Sequence, residues 1–453
     1  MTDQGVRWTS DQVLALAPDD ASRRAGSKLG TPGPWSGTGT GTGVGAGSGA
    51  GAVWGLCKGS GRTPYRTVVD VTGPAYACSC PSRKFPCKHA LGLLLLWAAG
   101  EVGPATEPPD WAAKWLASRQ ARATAAASDG AATGPADPEA ARRRAERRAA
   151  RITAGAQELE QRLADLLRGG LAAAEQAGYG QWEETAARMV DAQAPGLAAR
   201  VRELGAIPGS GPGWPVRLLE ECALTHLLDR AWLSVDGLPA PLAATVRTRV
   251  GLTVPQDGPT VRDRWLVLAQ YDSADSRLTT RRIWLYGEES GRTALLLSFG
   301  AAGRAPQLAL PVGAVLDAEV RPYEGAAALR AELVEQFAAP AAPGASAAPP
   351  PGGPVAAALD AYGHALRDDP WLDSWPVTLT GVAPARAEYD WQLADGGEAI
   401  PLTRAAQGGP GLWRLVALSG GGPVTVFGEV GHQGFTPLAA WGPEAPGETV
   451  PLV

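Results

Sequence analysis

Hydrophobic and polar positions follow a clear pattern between residues 65 and 100. The run YRTVVDV at residues 65–71 alternates and is rich in β-branched side chains, which predicts a strand. Thr72-Gly73-Pro74 is typical of a turn, and residues 75–80 can return as a second strand. The run CKHALGLLLLWAAG predicts a helix that ends at Gly100. The pattern therefore indicates a hairpin, a short loop and a helix.

Helical periodicity dominates the middle of the chain, and we expect a helical region at residues 139–205. Its first part, ARRRAERRAAR, is polar on all sides, whereas the part that follows places one apolar stripe on a helix face: Leu159, Leu163, Leu166 and Leu167. The arginine run could contact nucleic acid or acidic partners. A solvated helix face is the simpler interpretation.

After a further helix at residues 216–236, short β-type runs separated by Asp, Gly and Ser indicate an antiparallel sheet, sandwich or barrel. The runs in question are residues 246–254, 264–271, 281–286, 294–299 and 308–312, and, beyond a helix near 355–366, residues 377–382, 413–418 and 424–430. The expected fold is thus a multidomain α+β protein with a β-rich antiparallel C-terminal half.

Low-complexity segments rich in Gly, Ala, Pro, Ser or Thr separate these regions and suggest the domain boundaries. We expect an N-terminal segment with a Gly-rich linker at 1–53, a module with clustered cysteines at 54–105, a linker at 106–138, the helical region at 139–205, a β-rich domain at 206–337, an Ala/Pro/Gly linker at 338–354 and a β-rich region at 355–453.

Composition narrows the class of protein. The 453 residues are 45% hydrophobic, enough to form real cores, and the net charge of −5 argues against general coating of nucleic acid. No apolar run reaches membrane-spanning length and no signal peptide is evident, so we expect a cytoplasmic protein without membrane contact. The absence of Asn and the abundance of Ala, Gly, Pro and Arg suggest a high-GC bacterium.

The strongest chemical signal is the motif CxCx6CxH, formed by Cys78, Cys80, Cys87 and His89. Three thiolates and one imidazole satisfy the tetrahedral preference of Zn²⁺, and four protein ligands leave no position for a reactive water. We therefore predict one structural zinc. A disulfide is disfavoured in a cytoplasmic chain with five cysteines, and redox-sensitive thiols are a secondary alternative.

This motif, with a hairpin before it and an apolar helix after it, resembles the SWIM zinc finger over residues 66–98. Softer similarities to bacterial, actinobacterial-like SWIM-domain proteins lie at residues 55–65, 108–119 and 185–204. The resemblance implies a small ββα-like zinc finger ligated by the four residues named above. It also implies a generic role in binding DNA or other proteins, without a defined partner.

A basic surface around the finger is the candidate contact region. Between residues 56 and 97 Asp70 is the only acid, and the candidate contacts are Arg62, Arg66, Arg83, Lys84 and Lys88. Such residues suit phosphate contacts, although they can also be solvated loop residues or offset the thiolate charge. We therefore expect a protein-interaction or scaffold module, with DNA or RNA binding as the alternative; the oligomeric state stays open.

Other residues carry weaker signals. Cys222 and His226 share a helix face but have no third ligand nearby, so core packing is the simpler interpretation. Cys57 is interpreted as a buried structural cysteine. We find no phosphate-binding loop, no HExxH and no GxSxG. An enzyme in the C-terminal half therefore remains the least favoured of three possibilities.

Overall fold

The computed structural model describes residues 8–18, 20–41, 51–59, 61, 63–71, 75–82, 84, 86–105, 107–130, 138–252, 258–274, 278–301, 306, 308–323, 329–338, 340, 348–388 and 390–453. Within these residues it is a mixed α+β protein, with a helical region between a small zinc-finger module and a β-rich C-terminal half. No helix in the described part of the chain has both the length and the apolarity needed to cross a membrane.

The N-terminal module is an antiparallel sheet covered on both faces. The sheet has the order β1 (Trp35–Gly41), β2 (Ala52–Cys57), β3 (Tyr65–Asp70), β4 (Ala75–Cys78), and the helices are α1 (Ser10–Ala15), α2 (Asp20–Ser27), α3 (Lys88–Ala98) and α4 (Asp110–Gly130). Side chains alternate along the strands: Val53 and Val69 pack with α3, whereas Trp54 and Val68 pack with α4.

Two segments expected to be linkers are partly regular structure. Within residues 36–52, β1 pairs with β2, and its Thr40 N–H donates to Gly103 O at 3.0 Å. A Cβ at Gly39 would lie 2.9 Å from the Trp54 ring, so glycine makes room for tryptophan in this sheet. Within residues 106–138, α4 covers the sheet through Trp111, Trp115 and Leu116. Residues 42–50 and 131–137 lie outside the described residues.

Five helices share one core in the middle of the chain: α5 (Pro138–Gly169), α6 (Ala172–Asp191), α7 (Pro195–Ala206), α8 (Trp214–Leu233) and α9 (Ala240–Val250). A 3₁₀ turn, Val235–Gly237, joins α8 to α9. The strand expected at residues 246–254 is wrong over its described part, 246–252, because Val246 and Val250 lie one helical turn apart and are both buried in this core. Residues 253 and 254 lie outside the described residues. Gly251, with φ of 101°, ends the helix. Helical structure thus extends well beyond residue 205.

A closed five-stranded barrel follows, built from β5 (Val261–Ala274), β6 (Leu278–Gly287), β7 (Thr293–Ala301), β8 (Val315–Pro322) and β9 (Arg330–Gln336). The strands close in the order β5-β6-β7-β9-β8, and β7 and β9 are parallel whereas the other neighbours are antiparallel. This is the topology of an OB-fold barrel. The strand expected at residues 308–312 is absent: Leu310 is buried, and its N–H donates to the Gln270 side chain at 2.8 Å.

The C-terminal region is a six-stranded sheet with three helices. Its order is β12 (Ala399–Pro401), β11 (Asp390–Ala394), β10 (Ser374–Ala387), β13 (Val424–Gly431), β14 (Gly434–Trp441) and β15 (Val450–Pro451), with α10 (Val355–Asp368), α11 (Arg404–Gly408) and α12 (Pro410–Ser419). The strand expected at residues 413–418 is wrong, since these residues lie in α12 with Leu412 and Leu415 buried. Short apolar runs do not distinguish strand from helix by themselves.

This C-terminal sheet packs against the outer face of the barrel. Trp284 and Leu295 of the barrel share a core with Phe427 and Trp441 of the sheet. The carboxylate of Glu429 joins the two: Tyr271 Oη and Trp284 Nε1 donate to Oε1 at 2.7 and 2.8 Å, and Ser374 Oγ donates to Oε2 at 2.8 Å. The carboxylate therefore satisfies two polar groups of the barrel, Tyr271 and Trp284, and one hydroxyl of its own sheet, Ser374, in an otherwise apolar contact.

We expect Glu429→Leu to lower the free energy of unfolding by about 1–3 kcal/mol, because Tyr271 and Trp284 lose their acceptor in a part-buried contact. Urea denaturation followed by tryptophan fluorescence measures the change. Glu444→Leu, at an exposed position, is the control. Equal stability of the two variants would contradict the role assigned to Glu429.

The buried carboxyl group of Asp229, in α8, should make the stability of the protein depend on pH. Both carboxyl oxygens are buried and without a hydrogen-bond partner among the described residues, and burial, with Glu160 adding to it, raises the pKa to about 8. The folded protein must then keep a proton that the unfolded chain releases near pH 4. Stability therefore falls as pH rises from 4 to 8.

Asp229→Asn should remove this component, so that its stability relative to the parent protein rises between pH 5 and pH 8. Urea midpoints at both pH values measure it. Asp165→Asn, whose carboxylate is exposed on α5, should keep the parental pH dependence. The same pH profile in Asp229→Asn and the parent would refute the assignment.

Candidate metal centre

Four side chains meet where the sheet of the N-terminal module joins α3. Cys78 is the last residue of β4, and Cys80 lies in the loop that follows. Cys87 is the N-cap of α3, with extended backbone at φ −73° and ψ 166°, and His89 lies in the first helical turn. Two candidate ligands thus lie at or just after the end of β4, and two lie at the beginning of α3.

Their geometry fits one metal ion. The three Sγ atoms and one imidazole nitrogen all lie within 4.8 Å of one another, and Cys78 Sγ is 3.7 Å from His89 Nδ1. Tetrahedral Zn²⁺ with Zn–S distances of about 2.3 Å separates its sulfur ligands by about 3.8 Å. The cluster is therefore compatible with one structural zinc, and when bound the ion ties the strand to the helix.

The site is shielded on the side of β3. The Tyr65 ring lies over His89, with centroids 4.7 Å apart, and Thr67 Oγ1 is 3.2 Å from Cys78 Sγ. His89 and Cys87 are both buried. Sequence reasoning missed Tyr65 and Thr67, although the alternation in YRTVVDV already places them on the same strand face as Val69.

The three thiols differ in acidity. A hydrogen bond from Cys87, helped by His89 and Thr67, lowers the pKa of Cys78 to about 4. The same contact with Cys78, together with burial, raises the pKa of Cys87, and burial raises the pKa of Cys80. Crowded thiols stabilise one thiolate at the expense of the others. Zn²⁺ requires deprotonated thiols, and its charge offsets that repulsion.

The other cysteines, Cys57 and Cys222, and the described His226 are not part of this cluster. Cys57 is a buried free thiol whose pKa is raised by burial. Cys222 is buried in the helical core, and His226 Nδ1 contacts Glu160 at 2.5 Å. Among the described residues, only the Cys3His cluster brings three or more such side chains together.

The basic residues predicted around the finger are only partly described. Arg66, Lys84 and Lys88 are exposed. Arg62 and Arg83 lie outside the described residues. Asp70, the acid of this segment, pairs with Arg119 of α4 at 3.1 Å.

Cys80→Ser should lower the zinc content well below one ion per chain, because three ligands hold zinc less tightly than four. Inductively coupled plasma mass spectrometry of the purified protein measures the content. Cys57→Ser, which removes a neighbouring thiol outside the cluster, should retain about one zinc. Full occupancy in Cys80→Ser, or no zinc in the parent protein, would exclude the proposed site.

Comparisons with known families agree with this geometry. Residues 68–98 match the SWIM zinc finger, and residues 147–250 match the SWIM-associated four-helix bundle domain. Neither a curated protein nor a solved structure matches the chain. The first match encloses all four clustered side chains, and the second covers most of α5 together with α6–α9. The chain therefore contains a SWIM zinc finger that precedes a SWIM-associated four-helix bundle domain.

Proposed function

We propose that the chain is a protein-interaction scaffold in which zinc has a structural role. The observation that carries this proposal is an apolar face of α8 that no described element covers. Val216, Leu219 and Leu227 are exposed there by 62%, 49% and 43%. The opposite face of the same helix, with Leu218, Cys222 and Leu228, is buried in the bundle core.

The spacing of these residues makes one stripe. Val216, Leu219, Ala223 and Leu227 follow the i, i+3, i+7, i+11 pattern of a single helix face. An amphipathic helix needs only one apolar face to pack in a bundle, so a second one suits a partner. Docking of helices through such stripes is a common mode of protein recognition.

Helix α5 extends the stripe. Trp232 Nε1 donates to Thr153 Oγ1 at 3.1 Å, and His226 contacts Glu160, so α5 and α8 run antiparallel. Two further turns along α5 place Leu167, which is 45% exposed, level with Leu219. We call Leu167, Val216, Leu219 and Leu227 the α8 patch.

The environment of α3 also favours a scaffold over a reader of DNA sequence. Classical zinc fingers place the helix in the major groove. Here α3 is buried from His89 to Trp97, between the sheet and the N-terminal helices. A helix enclosed in this way has no free face for a groove, so the zinc would stabilise the module and leave recognition to other surfaces.

Nucleic-acid contact through the phosphate backbone is the second candidate. Lys58, Arg66, Lys84 and Lys88 are exposed around the finger, and Asp70, the acid of this segment, pairs with Arg119. Arg62 and Arg83, which the sequence predicts for the same surface, lie outside the described residues. Backbone contacts of this kind weaken steeply with salt.

We expect Leu219→Asp combined with Leu227→Asp to abolish capture of a partner by the α8 patch, because each charge would have to be desolvated in the contact. Affinity pull-down with the full zinc-loaded chain, followed by mass spectrometry, measures the capture. Leu359→Asp is the matched control, since Leu359 is 46% exposed on α10.

Nuclease treatment separates the two candidates. A partner that survives nuclease and is lost only in the α8 variant supports the proposal. Capture that disappears with nuclease, falls steeply with salt and is weakened by Lys84→Ala with Lys88→Ala supports the nucleic-acid candidate instead. A partner retained equally by the parent and the α8 variant would overturn the role of the α8 patch.

A further inference from the structure

A hollow of about 930 Å³ lies at the opposite end of α8 from Val216. Its walls are the first half of α5, the turn that follows α8, and the end of α9. The volume is within the range of sites that hold small organic molecules. The hollow shares no residue with the metal centre or with the α8 patch.

Three guanidinium groups line it: Arg144, Arg148 and Arg247. Arg144 has no acidic partner among the described residues, in contrast to Arg142 and Arg143 on the same helix, which pair with Glu146 and Glu139. Arg148 Nη2 donates to Gly251 O at 3.1 Å, but its Nε is buried without an acceptor among the described atoms. A buried donor of this kind costs stability unless it is satisfied.

The acids at the rim do little to neutralise these arginines. Glu146 lies 3.4 Å from Arg142. Asp236 lies 3.8 Å from Arg247, and its side chain is 98% exposed, so water screens the pair. The carboxyl end of α9 explains Arg148 through its bond to Gly251 and Arg247 through its place in the last helical turn, but it does not account for Arg144.

Part of the remaining wall is apolar, beside the polar Thr153 and Ser234 and the acids Glu146 and Asp236. Ala149, Leu233, Val235 and Leu252 line the hollow beside Trp232. The Trp232 indole is held in place by its bond to Thr153 Oγ1 at 3.1 Å, so its ring is fixed. A ligand here would place an anionic group among the guanidinium groups and a ring or chain against this wall.

We infer that this hollow binds a small organic anion, whose phosphate or carboxylate group is held by Arg144, Arg148 and Arg247. Guanidinium groups suit both anions because their parallel N–H donors match two oxygens at once. The site is separate from partner binding at the α8 patch, so either can fail without the other.

The test uses 8-anilinonaphthalene-1-sulfonate, a dye with an anionic group on an apolar body, and the full zinc-loaded chain. Dye fluorescence should titrate to a saturable site, and Arg144→Ala combined with Arg247→Ala should weaken that binding about tenfold or more. Arg143→Ala, which removes an adjacent arginine already paired with Glu139, should bind like the parent protein. Circular dichroism confirms that the variants are folded.

Competition identifies the anion. Displacement of the dye by adenosine monophosphate but not by adenosine indicates a phosphate site, and displacement by benzoate indicates a carboxylate site. Failure of both anions to displace the dye, or equal dye affinity in the parent and the Arg144/Arg247 variant, would overturn the inference. Binding of dye to the α8 patch would appear as a component that both arginine variants retain.

Discussion

Convergence of three sulfur atoms and one imidazole on a single point is the constraint on which the N-terminal module depends. It fixes the end of β4 against the beginning of α3, and α3 in turn supplies the largest share of the core beneath the sheet. That core reaches beyond the finger. It includes Ala309 from the chain beside the barrel, and Trp8 Nε1 donates to Pro340 O at 2.8 Å. The position of the metal ligands is therefore coupled to contacts with distant parts of the chain.

The metal centre was the most predictable part of the molecule. Ligand chemistry needs particular side chains at short spacing, so Cys78, Cys80, Cys87 and His89 are visible in the sequence itself. The strand before the ligands and the helix after them are also predicted clearly by the pattern of apolar residues. By contrast, the glycine tract has no hydrophobic periodicity, and in β1 the absence of a Cβ at Gly39 leaves room for the ring of Trp54. Nothing local to residues 36–41 reveals that contact.

Tertiary packing determines the secondary structure of the two segments that the hydrophobic pattern wrongly predicts to be strands. Residues 413–418 are rich in apolar side chains, and residues 246–250 contain three β-branched ones, which favours strands in isolation. Val246 and Val250 are instead buried in the helical core, and Leu415 is buried in the core of the C-terminal region. Gly251 and Gly420 end the two helices with positive φ. The arginine-lined hollow was likewise beyond sequence reasoning. The run ARRRAERRAAR shows the charge, but only the fold separates paired Arg142 and Arg143 from Arg144 and Arg148.

The contact between the barrel and the C-terminal sheet has a further consequence. OB-fold barrels bind oligonucleotides and oligosaccharides on the face of their second and third strands, which here are β6 and β7. That face already holds Phe427, Trp441 and the carboxylate of Glu429. The C-terminal sheet of the same chain therefore covers this face of the barrel. Because the two are covalently linked, the sheet has a high effective concentration at this face. A shorter protein that ended at residue 354 would regain this face as an exposed apolar surface, and self-association would compete with any foreign ligand for it.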